Sequence, residues 1–176
     1  MDWPTIEDAI QAWVKAGTGL DDAKVIWSRQ EGEQPSQPFV SMYRANLDTD
    51  GIDFVSSFTD LTRPAGQEVE QRVQGNRQFM LSVNAYTAQE AIGNGSAFAL
   101  MSKLKTSAAL PSQIANLGDA GLSIFDFSQI RDLSAIDNAL WESRAQLDIH
   151  FYVAESVSEY SGYIDEVHTT GTITQG

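Results

Sequence analysis

His150 and Asp148 stand two residues apart in a run whose side chains alternate, so they share one side of a strand. A histidine oriented by a carboxylate is half of a general-base arrangement, or half of a metal site. Glu166 and His168 repeat the spacing near the end of the chain. Neither pair has a nucleophile motif beside it, and with 24 Asp and Glu such neighbours arise by chance. A polar sheet face, solvated or turned to another subunit, is the simpler reading. Gly93-Asn94-Gly95 invites comparison with a dinucleotide loop, but Phe98 stands where a third small residue is due, and no βαβ unit surrounds it. Close helix packing explains these glycines better. Asp48, Asp50 and Asp53 begin like a calcium loop, yet Gly51 comes too early, and Ile52 and Thr59 fall on ligand positions. The expectation is no catalytic residue, no cofactor and no metal.

The elements that carry these residues follow from periodicity. Ile6, Ile10, Trp13 and Val14 form one stripe, predicting a helix over Thr5 to Ala16 that stops at Gly17. Lys24 to Arg29 reads as a short strand. Gln30 to Pro38 reads as a polar loop with two prolines. Phe39 to Leu47 and Ile52 to Phe58 read as strands joined by a hairpin turn at Asp48 to Gly51, with further turns at Arg63 to Gly66 and Gly75-Asn76. Arg77 to Tyr86 and Trp141 to Val153 alternate strongly. Between them, Thr87 and Glu90 match a capping box for a helix over Ala88 to Ala109, followed by a shorter helix from Pro111. Phe98 and Met101 are expected to lie over Leu147, Ile149 and Phe151. Leu122 to Phe127 and Gly162 to Ile173 read as further strands. The order predicts one α+β domain over 1–176, a mostly antiparallel β-sheet with helices packed on one face, with an extended β segment at 156–176.

Composition narrows the function classes. The chain has 176 residues, 42% of them hydrophobic, which is the make-up of a folded globule. It has no cysteine, which removes thiol catalysis, thiolate zinc and disulfides. No apolar run approaches the ~20 residues of a spanning helix, and Met1-Asp2-Trp3-Pro4 does not open like a secretory signal. Eleven Lys and Arg against 24 Asp and Glu leave a formal −13, which repels phosphate backbones and anionic headgroups.

Several segments, taken in order, resemble the tail (neck) terminator proteins of tailed bacteriophages. They are an N-terminal helix with a tryptophan, Val25-Ile26-Trp27-Ser28-Arg29-Gln30, a proline-containing loop into Pro38-Phe39-Val40, and Arg77-Gln78-Phe79-Met80-Leu81-Ser82-Val83. The Thr87 to Leu104 helix follows, then Glu142-Ser143-Arg144-Ala145-Gln146-Leu147-Asp148-Ile149. Ser134 to Leu140 departs from the pattern as an insertion, and the acidic tail beyond Glu155 matches no motif. The resemblance implies a ring-forming subunit of a homo-oligomer, a hexamer, in the virion neck. That ring would cap the tail tube protein, end its polymerisation and dock the head connector or stopper protein, while DNA passes through the lumen. It implies a structural role with no chemistry, and assembly in the host cytoplasm. A monomeric acidic binding module (an adaptor or an antitoxin-like protein) and a small α+β enzyme are the rival readings. Candidate contact residues are Pro38 in the loop, Asp48 and Asp50 at the expected hairpin tip, and Arg144, Asp148 and His150 on the polar strand face. Tyr163, Ile164 and Val167 in the terminal segment complete the set, because apolar residues on both faces of a strand need cover.

Overall fold

The computed structural model describes residues 2–28, 33–88, 95–137 and 140–162. Helix α1, Trp3–Thr18, buries Ile6, Ile10, Trp13 and Val14, the stripe that its 3.6-residue period predicts. It ends at Gly19, whose φ of 75° makes the left-handed cap, rather than at Gly17. Gly17 is small for another reason: a Cβ there would lie 2.4 Å from the Ser107 hydroxyl and 2.9 Å from Leu104. It is a crossing point between helices, where only hydrogen fits.

Strands β1 (Val25–Trp27), β2 (Phe39–Thr59), β3 (Val69–Thr87), β4 (Leu122–Phe127) and β7 (Leu140–Ser161) form a sheet in the order β1-β2-β3-β7-β4. Two short strands, β5 (Arg131–Asp132) and β6 (Ala135–Asp137), also pair with β7. All pairings are antiparallel except β1 with β2. Helices α2 (Ala97–Ser107) and α3 (Pro111–Asp119) join α1 over one face. Leu81, Val83, Leu147, Ile149 and Phe151 point into that layer and are fully buried, and Phe79 stacks on Phe151 at 5.2 Å. The fold class is α+β, as expected.

Three expectations about elements fail. Asp48 to Gly51 is no hairpin: β2 runs through it as one strand, with register shifts between Ala45 and Asp48 and between Asp50 and Phe54, and Gly51 at φ 81°. Turn-forming residues here make bulges instead. Gly75-Asn76 is likewise inside β3, while the real turn spans 60–68, where Asp60 N–H donates to the Glu68 carbonyl. The second helix begins at Ala97, capped by the Ser96 hydroxyl, which accepts from Ala99 N–H. Thr87 is the buried last residue of β3, paired with Ser143, rather than a helix cap, and Glu90, the other half of the expected capping box, lies outside the described residues. Consequently the buried stripe is Ala97, Leu100, Met101 and Leu104, and Phe98 is 49% exposed rather than packed on Leu147. Gly93-Asn94, Trp141's side chain, and the expected terminal strand with Glu166 and His168 lie outside the described residues.

Candidate assembly surface

The long strands do not stop where the helices do. The β3–β7 register runs unshifted from Thr87↔Ser143 to Val69↔Ser161, with β2 alongside as far as Thr59↔Val69. Beyond the Phe79–Phe151 row these strands form a three-stranded arm. Val69 lies ten residues along β3 from Phe79, about 33 Å at strand rise. No helix covers the arm among the described residues.

Arg77 ties the arm together at its root. Its guanidinium forks onto Asp53 of β2 at 2.6 and 2.9 Å, and its Nε donates to Glu155 of β7 at 3.0 Å. One planar cation therefore spans all three strands, the geometry that suits arginine. The hydrogen bond from Arg77 holds the Asp53 carboxyl below the usual carboxylate range. Asp53 crosses over Gly75, where a Cβ would sit 1.9 Å from its Oδ1, so this glycine makes room for an ion pair rather than a turn. Farther out, Glu70 accepts from Arg72 at 2.6 Å and from the Ser158 hydroxyl at 3.0 Å, and these bonds lower its pKa. At the tip, Arg63 lies over the Tyr160 ring at 4.5 Å, and the Thr62 hydroxyl lowers the Asp60 pKa.

Between these ties the arm is apolar on both faces. Val55, Val73 and Val157 form one register row on the face that carries helices in the body, with Val55 62% and Val157 64% exposed. Phe54, Phe58 and Tyr160 stand on the opposite face, with Phe54 66% and Phe58 55% exposed. Ile52 is 97% exposed at the bulge. A monomer in water gains nothing from such a surface; a partner would.

The sequence-derived candidates fall into three places. Asp48 and Asp50 are exposed on β2 at the root of the arm, near Tyr152, whose pKa is raised by burial and by Asp50. Pro38 is exposed at the start of β2, after a cis Gln37–Pro38 bond. Arg144, Asp148 and His150 line the sheet face opposite the helices. There Arg144 donates to Asn84 at 3.2 Å and lies over the Tyr86 ring. The Asp148 carboxylate takes Arg131 and, at 2.9 Å, Gln146. His150 packs against Phe125 at 5.7 Å. Asp148 thus spends its bonding on Arg131 and Gln146 rather than on orienting the imidazole. Tyr163, Ile164 and Val167 lie outside the described residues. Among the described residues no group of three or more Asp, Glu or His could hold a metal. The arm's apolar residues were missed from sequence. Their signal was present in Phe54-Val55, adjacent apolar residues that an alternating strand must send to opposite faces.

Comparison with known proteins agrees with the architecture. A family model described as phage neck terminator protein matches residues 5–176. No curated protein sequence matches the chain. Among solved structures, the sheath/tube terminator of PVC, an extracellular contractile injection system seen by cryo-EM in its extended state, is similar at a TM-score of 0.51 and 13% identity. The match covers 99% of this chain and 65% of that one, and at such identity it speaks for the fold alone. With a family model spanning nearly its whole length, the chain belongs to the phage neck terminator family.

Proposed function

We propose that copies of this chain close into a six-membered ring at the head end of a phage tail. The ring caps the last ring of tail tube protein, ends tube polymerisation, and offers a docking face to the head connector or stopper protein. It works as a structural part of the virion, assembled in the host cytoplasm, and needs no turnover. The observation that carries this reading is the arm: a three-stranded extension, apolar on both faces, on a chain of the neck terminator family. Such surface needs another chain to cover it and forms no enzyme pocket; membership of the neck terminator family is what favours a ring over a monomeric binding module. Charge supports the same reading. Six copies of −13 give a ring of about −78, so DNA would slide through the lumen without being held.

Native mass spectrometry of the purified protein, together with tube-length measurement by negative-stain imaging, tests the proposal. A six-subunit species that arrests the growth of polymerising tail tubes is the expected result. A protein that stays monomeric and leaves tube length unchanged overturns it.

A further inference from the structure

The arm's valine face continues the side of the sheet that helices cover in the body. It is also acidic. Asp53 and Glu155 share the single cation Arg77, and Glu159, two rows beyond Val157 and on the same face, has no cationic partner among the described residues. Elsewhere on the molecule lies the complementary surface. Residues 91–118 contain no Asp or Glu and two lysines, on a chain of net −13. There α1 and α2 leave an outward groove of about 730 Å³, lined by Ala16, Phe98, Ala99, Lys103 and Leu110. Phe98 and Leu110 are half exposed in it, and Lys103 is an exposed lysine without an acidic partner among the described residues.

We propose that the valine face of one copy's arm seats on the α1–α2 groove of a second copy, with Val55 and Val157 against Phe98 and Leu110 and Glu159 toward Lys103. This deepens the ring reading and rests on it. The arm cannot serve its own groove. Its ladder with β7 has no register shift to act as a hinge, and the groove opens on the outer side of the helix layer. A second copy brings what the face lacks: helices over a sheet, and a cation over carboxylates. Because arm and groove are different patches, the contact is head-to-tail and closes into a ring when the rotation allows.

The chain has no cysteine, so an engineered pair reports without background. The full-length Val157→Cys, Leu110→Cys double variant, oxidised under native conditions, should give a covalent ladder up to the complete ring. Each single variant should give no more than dimers. Val157→Asp should remove the oligomer from native mass spectra with an unchanged circular dichroism spectrum, and Lys103→Glu should lower the oligomer fraction at a given concentration. Glu159→Lys combined with Lys103→Glu should restore it. If the wild type forms rings but the double-cysteine variant gives no ladder, and the two disrupting variants assemble as the wild type does, the docking inference is overturned while the ring reading stands. If the wild type is monomeric at every concentration, the ring reading itself fails. If removing residues 163–176 alone abolishes the rings and the cysteine ladder never forms, that segment is the interface and the proposal is wrong.

Discussion

Gly17 sets how closely α1 and α2 approach. The Ser107 hydroxyl that a Cβ would meet at 2.4 Å is already engaged, donating to the Leu104 carbonyl at 2.7 Å and accepting from the Trp13 indole at 3.1 Å. It has no free direction in which to retreat, so Gly17→Ala should destabilise by about 1–3 kcal/mol, the range for overpacking. Urea unfolding measures it; an unchanged midpoint would mean that α2 slides away at no cost. Phe98 makes the opposite case. An aromatic inside an apolar pattern reads as core, yet half of this ring is exposed. Phe98→Ala should therefore cost about 1 kcal/mol or less of folding stability, well short of the 3–5 kcal/mol of a buried phenylalanine. A larger loss in the isolated subunit would place the ring back in the core.

At the scale of elements, α1 and the inner halves of β3 and β7 were legible because one face of each is buried, and burial writes a period into the sequence. The arm was not legible for the same reason. Nothing in the subunit covers it, so Phe54, Val55, Phe58 and Val73 obey no single alternation. Asp48 to Gly51, good turn chemistry spent on a bulge, then split one long strand into two. The capping box at Thr87 is a local signal lost to a longer-range one, the pairing of Thr87 with Ser143. Of the candidate site, Asp48 and Asp50 were picked out, but as a hairpin tip rather than the root of an arm, and the arm's apolar faces were not foreseen. The side-chain ties across the arm's backbone ladder are ionic, and this makes it acid-sensitive. Asp53 and Glu70 are held below their ordinary pKa by bonds from Arg77 and Arg72. Carboxylates with depressed folded values stabilise fully above the unfolded value and lose that contribution as pH falls through the folded one. The arm should therefore loosen below about pH 4. Two-dimensional NMR should show residues 69–77 and 154–161 losing dispersed signals before Leu81, Val83 and Leu147 do. Simultaneous loss would tie the arm's stability to the core instead.

At the scale of the whole molecule, a charge of −13, which repels phosphate backbones, also opposes assembly. A chain of this length has a radius of gyration near 16 Å by the usual scaling, so two touching subunits sit about 40 Å apart, centre to centre. Treated as point charges in water, they repel by about 18 kcal/mol unscreened. With a Debye length of about 30 Å at 0.01 M salt, roughly 5 kcal/mol survives. At 0.15 M, where the length is about 8 Å, only about 0.1 kcal/mol is left. A surface ion pair such as Lys103 with Glu159 contributes at most about 1 kcal/mol and is also screened. Repulsion thus governs the salt response, and apolar contact, which salt does not weaken, governs the bound state. Self-association should strengthen as salt rises from 0.01 to 0.15 M, the reverse of a protein that holds DNA. Sedimentation velocity across that range measures it. Association that weakens with salt would show that local charge pairs, rather than buried apolar rows such as Val55, Val73 and Val157, hold the copies together.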